Sequence, residues 1–444
     1  MTVLGSIVNY VVVDAAEARG ILNAREDAHF IRLADRVVVW TTEPFTASDS
    51  RGAPGVVARQ REAEGQLYLI VQVGQAFEID NPATRIVVHK GRYLIAELTF
   101  TELDRLAGQA ELCWSVRPVP LDDILLDVRA PVAAAVVPWV QTLVASVSQS
   151  TYSTYLTSMT AFATRHSLSP QFTDSATLAR DELRTLGYAA DLRPISVGAG
   201  SSFNVVAERT GAGTTGRELV IVVAHLDSIN IPGGPSAPAP GADDNASGSA
   251  GALEIARVLA MHPIRHDLRV ILFGGEEQGL LGSTQYVAAL AAAERARIRA
   301  VINMDMIATV NTPTLTVLLE GAGVSQTLIT ALADAAATYT SLTVQTSLNP
   351  FASDHVPFIN VSIPAVLTIE GADSANTNVH TANDTLTHID YRLALEIVRM
   401  NVATVATMLD VAETALTGEG MAGAYGLLLT NEPTITGPLE PLLD

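Results

Sequence analysis

Residues 221–228 read Ile-Val-Val-Ala-His-Leu-Asp-Ser, and residues 241–248, beyond a loop rich in proline and glycine, read Gly-Ala-Asp-Asp-Asn-Ala-Ser-Gly. The apolar run is typical of a buried strand, and the second stretch opens a helical pattern. A histidine and three aspartates therefore stand at the ends of rigid elements. Imidazole nitrogen and carboxylate oxygen are ligands for divalent cations such as zinc, so this segment predicts a metal site.

Strands and helices alternate on either side of this segment. Apolar runs typical of buried strands are residues 203–207, 219–224, 268–273, 300–304, 315–319 and 365–369. Helical patterns lie between and after them, near residues 246–260, 280–298, 325–337 and 391–416. This alternation predicts an α/β fold with a mostly parallel central sheet that helices cover on both faces.

The chain divides into three parts. Residues 1–138 carry short runs rich in β-branched and aromatic residues, which predict a small α+β or β-rich N-terminal domain. The composition shifts near its end, so we place the α/β domain at residues 139–416 and a C-terminal arm at residues 417–444. The first part shows no cluster of metal-binding or nucleophilic residues, which favours a pro-segment or a lid over a direct catalytic role.

Composition narrows the partners and the compartment. The 444-residue chain has a formal net charge of -20, so we expect neither nucleic acid nor a membrane as partner, because phosphates would be repelled. Cys113 is the only cysteine, which excludes an intrachain disulfide and argues against a thiolate zinc site. The first basic residue is Arg19, so the start lacks the positive region of a signal peptide. We expect a cytoplasmic protein, or a secreted one whose leader has been removed.

Metal-capable side chains follow four of the predicted strands. They are His225 and Asp227, Glu276 and Glu277, Asp305, and His380. In open α/β sheets, ligands bind beyond the carboxyl ends of the strands. These groups and Asp243 are therefore expected to converge at one edge of the sheet.

Each group has an ordinary explanation when it is taken alone. An aspartate before a helix, such as Asp244 or Asp384, most often caps that helix. An adjacent pair such as Glu276 and Glu277 is most often a solvated turn. Here, however, the glutamate pair and Asp305 come shortly after buried strands. The combination favours a metal site over a set of unrelated surface acids.

The same residues resemble a known family, the M28 metallopeptidases, which include co-catalytic zinc aminopeptidases of bacteria. The resemblance covers roughly residues 139–416. The motifs that carry it are His225-Leu226-Asp227-Ser228, Pro240-Gly241-Ala242-Asp243-Asp244-Asn245-Ala246-Ser247-Gly248, Glu276-Glu277, Asn303-Met304-Asp305, Ser353-Asp354-His355, His380-Thr381 and Asp384-Thr385.

The resemblance implies two zinc ions and a role for each residue. Asp243 would bridge the two ions. The remaining ligands would be His225 and Asp305 for one ion, and Glu277 and His380 for the other. Glu276 would be the general base, and Asp227 would orient His225. The resemblance also implies a cis peptide bond between Asp243 and Asp244.

The implied activity is that of an aminopeptidase acting on peptide substrates, in which Glu276 takes a proton from metal-activated water. A carboxypeptidase or dipeptidase is an alternative, but it would need a basic residue for the substrate carboxylate, and none lies inside the motifs. Glutaminyl cyclase and a non-catalytic binding protein are further alternatives, which the Asp-Asp-Asn pattern and the complete ligand set disfavour. Pro350 departs from relatives that have tyrosine there, so oxyanion stabilisation would fall more heavily on the metals.

Overall fold

The computed structural model describes residues 8–46, 48–49, 56, 60–107 and 113–411. Its strands are β1 Asn9–Val13, β2 His29–Leu33, β3 Arg36–Thr41, β4 Arg61–Glu62, β5 Gln66–Gln72, β6 Arg85–Lys90, β7 Tyr93–Leu98, β8 Trp114–Pro118, β9 Asp123–Arg129, β10 Ala189–Val197, β11 Gly200–Arg209, β12 Leu219–His225, β13 Asp267–Phe273, β14 Ile298–Met304, β15 Thr316–Glu320, β16 Thr343–Ser347 and β17 Ala365–Glu370. Its α-helices are α1 Ala15–Ala24, α2 Ala76–Asp80, α3 Phe100–Ala107, α4 Pro138–Ala145, α5 Gln149–Thr160, α6 Pro170–Thr185, α7 Gly248–Ala260, α8 Leu281–Ala289, α9 Ala292–Arg295, α10 Gln326–Tyr339, α11 His355–Ile359 and α12 Tyr391–Met408.

One sheet of 13 strands runs through the described part of the chain, in the order β10-β11-β13-β12-β14-β17-β15-β16-β9-β2-β3-β1-β4. Its centre is parallel, because β12 pairs in parallel with β13 and β14, and β14 pairs in parallel with β17. Antiparallel strands extend both sides of this centre. The predicted α/β fold with its mostly parallel central sheet is confirmed.

Apolar side chains on both faces explain why the central strands are buried. All seven residues of β12 are buried, as a strand covered by helices on both sides requires. The largest core cluster packs helices α4 to α7, α10 and α12 against one face of the sheet. On the other face, Phe273, Tyr286 and Phe358 form a smaller aromatic cluster with ring centroids 5.8–6.5 Å apart.

The N-terminal strands join this sheet. β9 pairs antiparallel with β16, and β2 pairs in parallel with β9. A second sheet, in the order β6-β7-β5-β8, lies beside the first. One core cluster contains side chains from both regions, for example Ile31 and Leu69 with Leu367 and Ile369. The segment between β9 and α4, residues 130–137, has no regular structure and is exposed.

Local chemistry sets the helix ends. Ser169 accepts a hydrogen bond from the N–H of Phe172 and precedes Pro170, a favourable pair for the start of α6. The predicted helix near 280–298 is two helices, since Leu290 adopts an extended conformation and ends α8. Within the described ranges, none of the helices combines the length and apolar character that crossing a membrane requires. The predicted C-terminal arm lies outside the described residues.

Candidate metal centre

Two groups of imidazole and carboxylate side chains meet at the carboxyl end of the parallel strands. In the first group, His225 Nε2 lies 3.2 Å from Asp305 Oδ1 and 3.2 Å from Asp244 Oδ1. In the second, His380 Nε2 lies 3.0 Å from Asp244 Oδ2 and 3.0 Å from Glu277 Oε2. The two carboxylate oxygens of Asp244 therefore face different groups. Asp244 is shared between them.

Asp243 does not occupy the shared position that the sequence interpretation gave it. Its carboxylate turns away and accepts hydrogen bonds from the N–H of Ala308 and from Asn376 Nδ2, both at 2.9 Å. Among the described residues, Asp243 belongs to neither group of potential metal ligands. The sequence interpretation placed Asp243 in the shared position, whereas the structure places Asp244 there, one residue further along.

The backbone of residues 242–247 explains this one-residue difference. Asp244 and Asn245 have non-helical φ values of -107° and -138°, so neighbouring side chains point in different directions. The cis peptide bond joins Asp244 to Asn245, not Asp243 to Asp244 as expected. Gly241 has φ +52°, and a Cβ there would lie 2.3 Å from the backbone oxygen of Asp244, so this tight turn requires glycine.

Two buried side chains hold this turn in place. Asp384 accepts hydrogen bonds from the N–H groups of Asp243 and Asp244, both at 2.9 Å. Arg165 donates to the backbone oxygens of Leu226 at 2.7 Å and Gly241 at 2.9 Å, and thereby links the end of β12 to the turn. Arg165 could not be predicted from the sequence, because none of the motifs lies near it.

Asp227 connects His225 to the glutamate pair. Its Oδ1 lies 3.6 Å from His225 Nδ1, on the side of the ring that faces away from Asp244. The same carboxylate accepts the N–H of Glu276 at 3.4 Å and that of Glu277 at 3.3 Å. Ser167 Oγ donates to it at 3.0 Å. Asp227 thus fixes the positions of three other site residues through one carboxylate.

Glu276 lies beside both groups without joining either. It is buried in a turn after β13, and its backbone oxygen accepts the N–H groups of Gly279 and Leu280. Burial raises the pKa of the Glu276 carboxyl well above its usual value, against the opposing effect of the His225 imidazole. A carboxylate with a raised pKa beside a metal site suits proton transfer.

Ser353 supports the first group. Its hydroxyl donates to Asp305 Oδ2 at 2.7 Å and accepts a hydrogen bond from Asn303 Nδ2, also at 2.7 Å. This places the Ser353-Asp354-His355 motif behind the ligands. Phe358 is fully buried and belongs to the core.

Electrostatics shows why the two groups fit cations. Burial raises the pKa of the Glu277 carboxyl to about 7. Burial lowers the pKa of the His380 imidazole, but Glu277, Asp244 and Cys113 outweigh burial, so this pKa ends above its usual value. The carboxylates here outnumber the two imidazoles, and buried charges without partners are costly. Glu277 Oε1 is buried and has no hydrogen-bond partner among the described residues. Ligand atoms about 2.0–2.2 Å from a tetrahedral zinc ion lie about 3.3–3.6 Å apart, slightly further than the 3.0–3.2 Å separations seen here.

Comparison with known proteins places this site in a family. The family model described as "Peptidase family M28" matches residues 204–405. This part of the chain belongs to peptidase family M28. Every residue that the sequence interpretation assigned to the site lies inside this M28 segment, whereas Arg165 lies outside it.

Relatives of the M28 segment include leupeptin-inactivating enzyme 1 of Streptomyces exfoliatus, 31% identical over 204 residues, with 45% of this chain and 42% of the relative covered. Aminopeptidase YwaD of Bacillus subtilis (strain 168) is 36% identical over 186 residues, with 39% of this chain and 37% of the relative covered. The chain therefore spans about two fifths of the length of these curated relatives.

Solved structures show that the fold extends beyond the M28 segment. The Legionella pneumophila LapA aminopeptidase superposes with a TM-score of 0.56 at 18% identity, covering 78% of this chain and 99% of that one. The aminopeptidase from Aneurinibacillus sp. strain AM-1 gives a TM-score of 0.51 at 16% identity, covering 64% and 98%. At these identities the similarity concerns the fold alone.

Proposed function

We propose that the chain is a zinc-dependent aminopeptidase that hydrolyses the N-terminal bond of peptides. The observation that carries this proposal is the pair of His-carboxylate groups that share Asp244, with Glu276 beside them. The M28 match and the aminopeptidase relatives support it.

Each residue has a defined task. His225, Asp244 and Asp305 would hold one zinc ion, and Glu277, Asp244 and His380 would hold a second. When bound, such a pair of ions supplies Lewis-acid polarisation of the scissile carbonyl and lowers the pKa of a water molecule. The side chains in contact with the ligands keep them in place: Asp227 orients His225, and Ser353 orients Asp305.

Glu276 carries the proton transfer. Its carboxylate takes a proton from the attacking water as the water oxygen bonds to the carbonyl carbon. It then delivers this proton to the nitrogen as the C–N bond breaks, and a free amine leaves. Because residue 350 is proline, it offers no hydroxyl for the developing oxyanion.

The charge of the site favours a substrate amine over a substrate carboxylate. A carboxypeptidase would need a cation for the carboxylate of its substrate. The two buried arginines near the site are engaged elsewhere: Arg165 binds backbone oxygens, and Arg92 binds Glu320 and Asp373. The surplus of carboxylates instead attracts an ammonium group. This contrast supports action at the amino terminus.

The proposal is tested with matched aminoacyl, peptidyl and N-blocked arylamides, with and without a chelator. We expect hydrolysis of the unblocked substrates, loss of activity with the chelator, and recovery on addition of zinc. Glu276→Gln should lower kcat by about 10²–10⁴-fold and leave zinc bound, because only the proton acceptor is lost.

The matched control is Glu62→Gln, which changes an exposed glutamate in the short strand β4. It should retain full activity. Hydrolysis of N-blocked substrates, or activity that a chelator does not affect, would contradict the proposal.

A further inference from the structure

A hairpin of the N-terminal region reaches the M28 segment close to its site. The tip of β6–β7 lies against the short 3-10 helix Asp373–Ala375, where Ser374 Oγ donates to the backbone oxygen of Gly91 at 2.7 Å. Gly91 has φ +58°, and a Cβ there would lie 3.4 Å from Ala372 Cα. The next residue after this tight contact is Arg92.

Arg92 is fully enclosed and binds two acids of the M28 segment. Its Nη1 lies 3.0 Å from Glu320 Oε1, and its Nε and Nη2 each lie 3.3 Å from Asp373 Oδ2. Its side chain is 2% exposed, and both acids are 0% exposed. The Tyr93 hydroxyl also donates to Glu320. One cation thus joins two buried carboxylates on different elements.

Glu320, the first acid, is connected to Asp305 through hydrogen bonds. Glu320 Oε1 accepts the N–H of Phe351 at 3.0 Å, and Arg92 Nη1 donates to the backbone oxygen of the same residue at 3.5 Å. Two residues further along, Ser353 Oγ donates to Asp305 Oδ2 at 2.7 Å. Arg92 and Glu320 therefore fix the loop from which Ser353 orients Asp305.

Asp373, the second acid, is connected through hydrogen bonds to the turn that carries Asp244. The backbone oxygen of Asp373 accepts the N–H of Asn376 at 2.9 Å. Asn376 Nδ2 donates to Asp243 Oδ2 at 2.9 Å, next to Asp244 in the chain. The same loop continues to His380. The elements that bear both groups of ligands therefore meet at Arg92.

The contact of Arg92 with Glu320 and Asp373 depends on the charge of the arginine. Burial raises the pKa of the Glu320 carboxyl, but Arg92, together with His355 and Tyr93, outweighs burial, and the pKa ends below its usual value. Without the arginine, Asp373 would remain buried without a counter-ion, and Glu320 would keep only the His355 imidazole, whose Nε2 lies 3.5 Å from its Oε1. Removing one partner of such buried charges is strongly unfavourable. We expect their loops to move, and Asp305 with them. Among the described residues of the M28 segment, none forms an ion pair with Asp373 that could replace Arg92.

We propose that Arg92 is a positioning residue for the metal centre, and that the N-terminal region is a permanent part of the catalytic unit and not a removable pro-segment. The inference rests on the proposed function. It adds a contribution from residues outside the M28 segment, which sequence reasoning had assigned to a pro-segment or lid.

The test compares Arg92→Met and Arg92→Lys in the full chain with the control Arg36→Met, which changes an arginine that is 52% exposed. Zinc affinity is measured by competition with a chromophoric chelator, and kcat and KM are measured on an unblocked aminoacyl arylamide. For Arg92→Met we expect zinc binding at least about tenfold weaker, as for other residues that support metal ligands, and at least tenfold lower kcat with KM within threefold. Arg92→Lys should fall between Arg92→Met and the wild type, because lysine keeps the charge but lacks the planar fork that spans two acids.

Wild-type zinc affinity and kcat in Arg92→Met would overturn the inference. If Arg92→Met does not fold, Arg92→Lys decides: a wild-type value for both quantities overturns the inference, and a loss in both supports it. A wild-type protein that binds no zinc would defeat the proposed function instead. A wild-type protein that binds zinc and turns over, with unaffected Arg92 variants, would defeat only this inference.

Discussion

Two adjacent aspartates have different roles in this site. Asp243 and Asp244 have the same side chain, and both are buried. The backbone between them directs one carboxylate to both histidines and the other to Ala308 and Asn376. A residue list alone does not distinguish the two aspartates. Their hydrogen-bond partners do.

A pair of single substitutions tests this assignment. Asp244→Asn should weaken zinc binding in both groups by more than about 10²-fold, since loss of a supporting residue alone costs 10–100-fold. Asp243→Asn should keep zinc binding within about tenfold of the wild type and lower stability by about 1–2 kcal/mol, because it disturbs hydrogen bonds only. Zinc titration and urea unfolding give the two quantities. The reverse order of zinc affinities would restore Asp243 to the shared position.

The sequence could predict most of the site because its residues lie at the ends of strands or in the connections that follow them. His225, Glu277, Asp305 and His380 all lie in the predicted region. Asp244 was missed because the direction of a side chain in an irregular turn depends on dihedral angles that no periodicity encodes. Arg92 and Arg165 were missed because each acts through contacts with residues that are distant in the chain.

At the scale of elements, the end of the sheet opposite the site is held by charges. Asp267, at the start of β13, accepts hydrogen bonds from Gly211 N–H and from Arg217 Nε, both at 2.8 Å, and also binds Arg297. Gly211 and Arg217 lie in the connection before β12, Asp267 begins β13, and Arg297 directly precedes β14. The Asp267 carboxylate therefore aligns the starts of three neighbouring strands.

This arrangement gives a pH-dependent stability. Burial raises the pKa of the Asp267 carboxyl, but its hydrogen bonds and the two arginines outweigh burial and lower the pKa below the usual value. A carboxyl with a lower pKa in the folded state stabilises the fold fully above its unfolded pKa, and this contribution is lost as pH falls through the folded pKa. Metal-free Asp267→Asn should therefore be less stable than metal-free wild type by about 1–2 kcal/mol at pH 7.

Urea unfolding of both metal-free proteins at pH 7 and at pH 3 measures this difference. The difference in unfolding free energy between wild type and Asp267→Asn should be smaller at pH 3 than at pH 7. An equal difference at both pH values would show that the charge of Asp267 does not contribute.

Sequence patterns predicted the buried elements well and the edge elements poorly. The strand β12 was predicted from the six apolar residues 219–224, and all seven residues of the observed strand are buried. The edge strand β10, by contrast, has only three buried residues among nine, so it lacks the apolar run that identifies a strand. Pairing between β9 and β16 was also missed, because strand order depends on contacts between distant residues and leaves no local signal.

At the scale of the whole molecule, the N-terminal strands extend the sheet of the M28 segment and share one core with it. The boundary near residue 138 is visible in the composition, but the contacts cross it. Sequence composition reports where a chain changes character. It does not report which surfaces the two parts bury against each other.

Residues 130–137 are exposed and have no regular structure, so the backbone can be cut there with little loss of packing. A protease site engineered there should allow the backbone to be cut while the halves stay associated, since β9 and Arg92 remain clamped to the other half. Size-exclusion chromatography of the cut protein should give one peak at the mass of the intact chain, still active. Separation of the halves would contradict this expectation. If the halves stay associated, two separately produced polypeptides should also assemble on mixing, and neither should be active alone.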